Sequence, residues 1–219
     1  MKEIKNDPES FTICTDTIVR HVGDIGRMID EFSSFARMPA PVLKPENLTE
    51  IVRQAAFLQR TAHPEIGFET VFPRLPVPIH CDGRLVSQAL VNIVKNAIES
   101  IQARTAEGEA APPGHIRVAV IEQNGQATVV VEDNGKGLPQ QGREQLTEPY
   151  VTTRLKGTGL GLAIVKKIME DHEGELMLED REPGGARVSL IFATSDIRTP
   201  QRLGAIDASS ELSPVGHGA

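Results

Sequence analysis

Apolar residues at 4-3-4-3 spacing mark the early chain: Ile18, Val22, Ile25, Ile29 and Phe32. That heptad seam predicts one long amphipathic helix over 11–37, with Arg20, Asp24, Arg27, Asp30 and Glu31 largely off it. Pro39, Pro41 and Pro45 cannot continue the helix and mark a linker. A second helix is expected over 48–61, capped by Asn47 or Thr49, with Glu50 in its first turn. Alternation over 66–71 and the short run 77–81 read as strands. Asp82 then caps a helix over 83–104 whose apolar stripe is broad: Leu85, Leu90, Val91, Ile93, Val94, Ala97, Ile98 and Ile101. The stretch 105–114 is a loop by composition. Strands at 116–122 and 127–132 are joined by Asn124-Gly125, a strong hairpin signal. A helix-like run covers 160–169, and strands at 175–182 and 186–192 form a hairpin around Pro183-Gly184-Gly185. Residues 195–219, rich in Ser, Gly, Pro and charge, are expected to be disordered. Strands grouped with helices on one side predict an α+β fold, a two-layer α/β sandwich preceded by one long helix.

Composition narrows the class. The 219 residues are 39% hydrophobic and 24% charged, enough for a core, and the net charge of -7 argues against a nucleic-acid binder. No apolar run approaches the length of a membrane span and no signal peptide opens the chain, so a soluble, cytoplasmic location is expected here. Cys14 and Cys81 are too few for a disulfide framework and lack metal-ligand spacing.

Candidate chemistry sits in two glycine clusters, Gly135/Gly137 and Gly157/Gly159/Gly161, flanking a polar segment. A strand runs into the first cluster and a helix leaves the second. Glycines there let backbone approach a ligand, and helix-start amides attract an anion. Counting excludes two nucleotide fingerprints. No Gly-Lys-Ser/Thr occurs, so there is no P-loop. Leu162 or Ile164 stands where a dinucleotide fold needs its third glycine. Upstream, Asn92 and Asn96 sit at i and i+4 on one helix face. They are either solvated amides or oxygen ligands aimed at Mg²⁺ and phosphate.

Together these stretches resemble the ATP-binding domains of the histidine kinase/Hsp90/gyrase/MutL (GHKL) superfamily. NIVKNAIES resembles its N box, DNGKGLP its G1 box, TEPYVTTR its F box and GTGLGLAIVKKIMEDHEGE its G2 box, in family order. The resemblance covers roughly 46–193 and is strongest to sensor histidine kinases of the nitrogen-regulation type. It implies a Bergerat ATP-binding fold, ATP and Mg²⁺ as cofactors, and transfer of the γ-phosphate to a histidine for relay to an NtrX-like response regulator. Asp133 would receive the adenine amino group; its other reading is a turn-forming aspartate. Gly135 and Gly137 would admit adenine and ribose, and Ser189 matches a strand hydroxyl reaching adenine through water. Asn96 would hold the metal, with Asn92 beside the phosphates. Segment 139–156 would be a lid carrying Tyr150, Thr153, Arg154 and Lys156; Arg154 and Lys156 are either phosphate contacts or solvated charges. Gly157, Thr158, Gly159, Leu160 and Gly161 would hold the β- and γ-phosphates. Asn92, Asn96 and Lys156 would act in catalysis.

The resemblance divides the chain into a partial dimerisation region (1–38), a linker (39–47), a catalytic domain (48–194) and a tail (195–219). FSSFARMP ends the first helix as the second helix of a dimerisation hairpin ends in such kinases, implying a homodimer through 11–37. The residues Glu3-Ile4-Lys5-Asn6 resemble the tail of an H box, but Lys2 occupies the acceptor position. His21 lacks that box's acidic and proline context. The phosphoacceptor helix is therefore expected to be another segment of the parent kinase. The alternatives are a nucleotide-gated interaction module without kinase activity, or another ATPase or anti-sigma kinase of the superfamily. Against an ATPase, Asn92 stands where hydrolysing relatives carry a water-activating glutamate.

Overall fold

The computed structural model describes residues 8–106, 112–151 and 157–194. The long first helix, α1 (Pro8–Ala36), begins at a proline, whose fixed φ suits the first helical position. Its seam faces outward: Ile18, Val22, Ile25 and Ile29 are each more than half exposed. Its C-terminal end engages the rest of the chain, where Phe35 and Met38 pack against the core.

The linker is shorter than its prolines suggest. Lys44–Asn47 is a strand, β1, that pairs antiparallel with β3 (Pro78–Cys81) in a two-stranded sheet, Lys44 opposite Cys81. Pro45 is tolerated because this short ribbon needs few ladder bonds. Between them run α2 (Leu48–Ala62) and β2 (Gly67–Val71). The Asn47 side chain caps α2 through the Thr49 amide at 3.2 Å and also accepts the Val77 amide at 3.3 Å. One side chain thus starts the helix and fixes the loop before β3.

The main sheet has the order β2-β4-β5-β7-β6, with β4 at His115–Gln123, β5 at Gln126–Asp133, β6 at Glu175–Asp180 and β7 at Ala186–Ala193. Asn124 and Gly125, both at positive φ (53° and 75°), make the β4–β5 turn. Pairing is antiparallel except for β2–β4, which is parallel because α3 (Gly83–Ala106) intervenes as part of the crossover. Helices α2, α3 and α4 (Gly161–Asp171) cover one face. Leu90, Ile93, Ile116, Val129, Ile168 and Leu190 are at most 1% exposed between the layers. This is the two-layer α/β sandwich expected.

The other face carries a row of charges. Glu69, Arg117, Glu132, Arg187 and Glu179 lie in register across all five strands, with alternating sign. Successive contacts are 3.6, 3.0, 3.5 and 3.8 Å.

Candidate nucleotide-binding site

The apolar stripe of α3 buries Ile93, Val94, Ala97 and Ile98, which turns Asn92 and Asn96 toward its margin, where they are half-buried. That margin meets the start of α4. The Asn92 carboxamide nitrogen lies 3.4 Å from the Gly161 carbonyl oxygen, and a Cβ placed on Gly161 would lie 3.8 Å from Asn96 Oδ1. A Cβ at 161 would sit in ordinary van der Waals contact with the Asn96 amide. Leu160, wholly buried, anchors the start of α4 in the core, so its contribution to a ligand is through backbone. Thr158 Oγ1 accepts the Leu160 amide at 3.4 Å, and no described side chain caps α4 itself. The first-turn amides of α4 therefore point out beside the asparagines, as an anion site requires.

Gly159 (φ 70°) has no room for a side chain: a Cβ there would fall 2.7 Å from the Tyr150 carbonyl carbon. Tyr150 in turn holds φ 67°, costly for a bulky residue, and donates its amide to the Gly159 carbonyl at 3.1 Å. Its exposed ring lies 6.4 Å from that of Phe32 on α1, so the segment before α4 touches the first helix. Gly157 is half-buried. Thr153, Arg154 and Lys156 lie outside the described residues.

Asp133 ends β5 with 5% exposure. Its Oδ1 accepts the Gly135 amide at 2.7 Å, so the alternative, turn-forming role is present. Gly135 packs against Ser100 of α3, whose Oγ accepts the Lys136 amide at 3.0 Å. A Cβ on Gly185 would fall 1.9 Å from the Asp133 carbonyl oxygen, and one on Gly137 3.0 Å from the Gly185 carbonyl. Backbone of the β6–β7 turn thus seats directly on the first glycine cluster.

Ser189 is on the wrong face for the role its sequence position suggested. Asp133 pairs with core-facing Ile116, and Val131 with Val188, while Ser189 pairs with Val130 and Met177. Register partners share a face and neighbours along a strand alternate. Ser189 therefore lies on the sheet's outer side, and the β7 positions on Asp133's side nearest to it are Ala186 and Val188.

Several supporting residues are invisible to motif reading. Ser100 had a signal, since it continues the Asn92/Asn96 face by another turn. Asn134 had none: its Oδ1 accepts the His115 amide at 2.8 Å and its Nδ2 donates to the Pro113 carbonyl at 2.9 Å, tying the glycine turn to the start of β4. Arg104 donates to the Asn134 and Pro112 carbonyls. Asp82, 3% exposed, does more than cap α3. Its Oδ1 accepts the Arg84 amide at 3.1 Å and its Oδ2 the Val42 amide of the linker at 3.1 Å. The Arg84 guanidinium, and then the two backbone donors, hold this carboxyl down at about 2. His172 caps the end of α4, but its ring makes a further contact. Nδ1 donates to the Ile168 carbonyl at 2.7 Å, and Nε2 accepts the Asp82 amide at 3.0 Å.

Residues 81–196 match the model of the histidine kinase-, DNA gyrase B- and HSP90-like ATPase family, a span of more than half the chain. The chain belongs to this family. As a member of this ATPase family it has a nucleotide-binding fold, and the two glycine clusters and the asparagine face fall inside the matched span. It is 52% identical over 197 residues to nitrogen regulation protein NtrY of Azorhizobium caulinodans, covering 87% of this chain and 24% of that protein. The catalytic domain of histidine kinase ThkA superposes with a TM-score of 0.60 at 28% identity, covering 70% of this chain and 96% of that domain. Full-length ShkA, solved in complex with AMPPNP, gives 0.65 at 26% identity, covering 87% of this chain and 40% of that one. The chain spans about a quarter to two fifths of the length of the curated relatives it matches.

Proposed function

We propose that this chain is the ATP-binding catalytic part of a sensor histidine kinase of the NtrY type, delivering the γ-phosphate of ATP to a histidine on another segment. The observation that carries the reading is the meeting of two half-buried asparagines with an uncapped, glycine-bordered helix start, on the helix side of a sheet that also carries a buried aspartate. A buried carboxylate is costly without donors. Asp133 accepts the Gly135 amide, and the adenine amino group would be a further donor to it; guanine offers a carbonyl oxygen instead. The α4 amides would meet the phosphates, with Gly157, Thr158, Gly159 and Gly161 letting them approach. Lid residues Tyr150, Thr153, Arg154 and Lys156 would close over them, and phosphoryl transfer would proceed by positioning and charge neutralisation.

Among the described residues no group of three or more His, Cys, Asp or Glu side chains is placed to hold a metal ion. The donors at the cleft are neutral amides, which suit a hard cation only when phosphate oxygens complete its shell. Mg²⁺ would therefore arrive with the nucleotide, held by Asn96 with Asn92 alongside, and would neutralise phosphate charge there.

The exposed seam of α1 supports pairing with the phosphoacceptor helix and a second copy, giving a homodimer through 11–37. The relay partner would be an NtrX-like response regulator, and the reaction would take place in the cytoplasm, with any membrane anchor elsewhere in the parent kinase. No helix among the described residues is long and apolar enough to cross a membrane.

Calorimetric titration with a non-hydrolysable ATP analogue, with and without Mg²⁺, tests the reading. Micromolar binding that strengthens with Mg²⁺ and falls at least tenfold in Asp133→Asn is expected. No binding by the intact chain would remove the kinase assignment and leave a partner-binding module.

A further inference from the structure

We infer that His172 is a positioning residue: through the Asp82 amide it sets the height of the asparagine-bearing helix against the helix whose start faces the phosphates. The inference rests on the nucleotide-site reading above. Helices α3 and α4 run antiparallel and pack along one another, with polar contacts at two places. One is the cleft, where Asn92 and Asn96 face Gly161. The other is the strut, where the Asp82 amide donates to His172 Nε2 at 3.0 Å. At ~1.5 Å per residue, Asp82 to Asn92 spans about 15 Å and His172 to Gly161 about 16 Å. A slide of one helix along the other at the strut is therefore transmitted almost undiminished to the cleft.

The ring is built for that task. Nδ1 is tied to the Ile168 carbonyl at 2.7 Å, which leaves Nε2 as the acceptor and fixes which nitrogen carries the proton. Phe192 meets the ring edge-on at 6.3 Å and 85°, limiting its rotation. The amide it accepts belongs to the residue that starts α3, and that residue's carboxylate also accepts the Val42 amide of the linker. The linker, the start of the asparagine helix and the end of the phosphate-facing helix thus converge on one residue. A merely space-filling role for His172 would need none of these hydrogen bonds. Phosphate contacts depend on the relative height of α3 and α4, whereas Asp133 belongs to the sheet and does not.

The test compares His172→Phe, which keeps a ring but loses both hydrogen bonds, with His172→Gln, whose terminal oxygen reaches the position of Nε2. Phe192→Leu loosens the same pocket without touching either bond. Each full 219-residue chain is titrated with a Mg²⁺-loaded non-hydrolysable ATP analogue and, by NMR, with adenosine. Exchange of the Asp82 amide is followed without nucleotide. His172→Phe should weaken the ATP analogue at least tenfold and adenosine less than threefold, and should speed Asp82 exchange at least tenfold. His172→Gln and Phe192→Leu should stay within threefold of the parent on the ATP analogue. Equal losses on both ligands, equal losses in the Phe and Gln variants, or unchanged Asp82 exchange would overturn the inference. Should the unmutated chain bind no nucleotide, the functional reading falls, while the exchange arm still decides whether the strut exists.

Discussion

Replacing Asp82 by Asn tests how much of the domain's stability passes through one buried carboxylate. In the folded chain its pKa is about 2 against 3.8 for an ordinary aspartate. At 1.36 kcal/mol per unit, that difference corresponds to roughly 2 kcal/mol of stability at neutral pH. The sign follows from the direction of the shift. A carboxyl whose folded pKa is depressed contributes fully above its unfolded value, near pH 4, and loses that contribution as pH falls toward 2. Urea unfolding followed by circular dichroism from pH 7 to pH 3 should show Asp82→Asn less stable by roughly 2 kcal/mol at neutral pH, with the gap narrowing below pH 4. The Asn amide adds to the neutral-pH cost, because it can offer its oxygen to the Val42 or the Arg84 amide but presents N–H to the other. Arg84→Ala should cost less, about 0.5–1 kcal/mol, because that guanidinium is 77% exposed and solvent screens it, while the two backbone donors remain. A loss below about 0.5 kcal/mol for Asp82→Asn, or a gap that does not change with pH, would refute the reasoning.

Three further outcomes are expected. Glu132 lies between Arg117 and Arg187 with its side chain 15% exposed, so Glu132→Ala should destabilise by about 1 kcal/mol in denaturant titration; the half-exposed ladder ends, Glu69 and Glu179, should each cost about 0.5 kcal/mol or less. Cys81 is wholly buried and burial pushes its thiol up to about 12, so a thiol reagent at pH 8 should label only exposed Cys14 in the native chain and both cysteines in denaturant. Glu173 ends α4 at φ 53°, a conformation in which glycine is unstrained, so Glu173→Gly should raise stability by roughly 0.5–1 kcal/mol in thermal melts.

The parts of the molecule legible in its sequence are those whose cause is local. The Asn124-Gly125 turn, the Asp82 and Asn47 caps and the shared face of Asn92 and Asn96 each follow from a short stretch of residues. What escaped reading is pairing between distant segments. β1 was hidden because Pro39, Pro41 and its own Pro45 signal a linker and its partner, β3, lies beyond α2. Ser189 was misplaced because Val188, Ser189, Leu190, Ile191 and Phe192 are apolar on both parities save the serine itself. With no clean alternation, sequence cannot say which parity faces the helices, and a one-residue step decides it. The role of His172 was hidden for the same reason. Its position predicts a favourable interaction with its own helix end, whereas the partner that defines it lies across the domain on Asp82.

The charged row on the open face also discriminates among ways of assembling the sheet. Each strand contributes one member at the same height, acidic from β2, β5 and β6 and basic from β4 and β7. Like charges directly opposite each other repel. A misassembled sheet with β4 beside β7, β5 beside β6, or β2 beside β5 would set arginine against arginine or glutamate against glutamate at this height. Every native neighbour instead brings opposite signs together. Individually these exposed pairs stabilise little, yet as a set they penalise wrong strand orders, so the row acts as a check on topology more than as a source of strength.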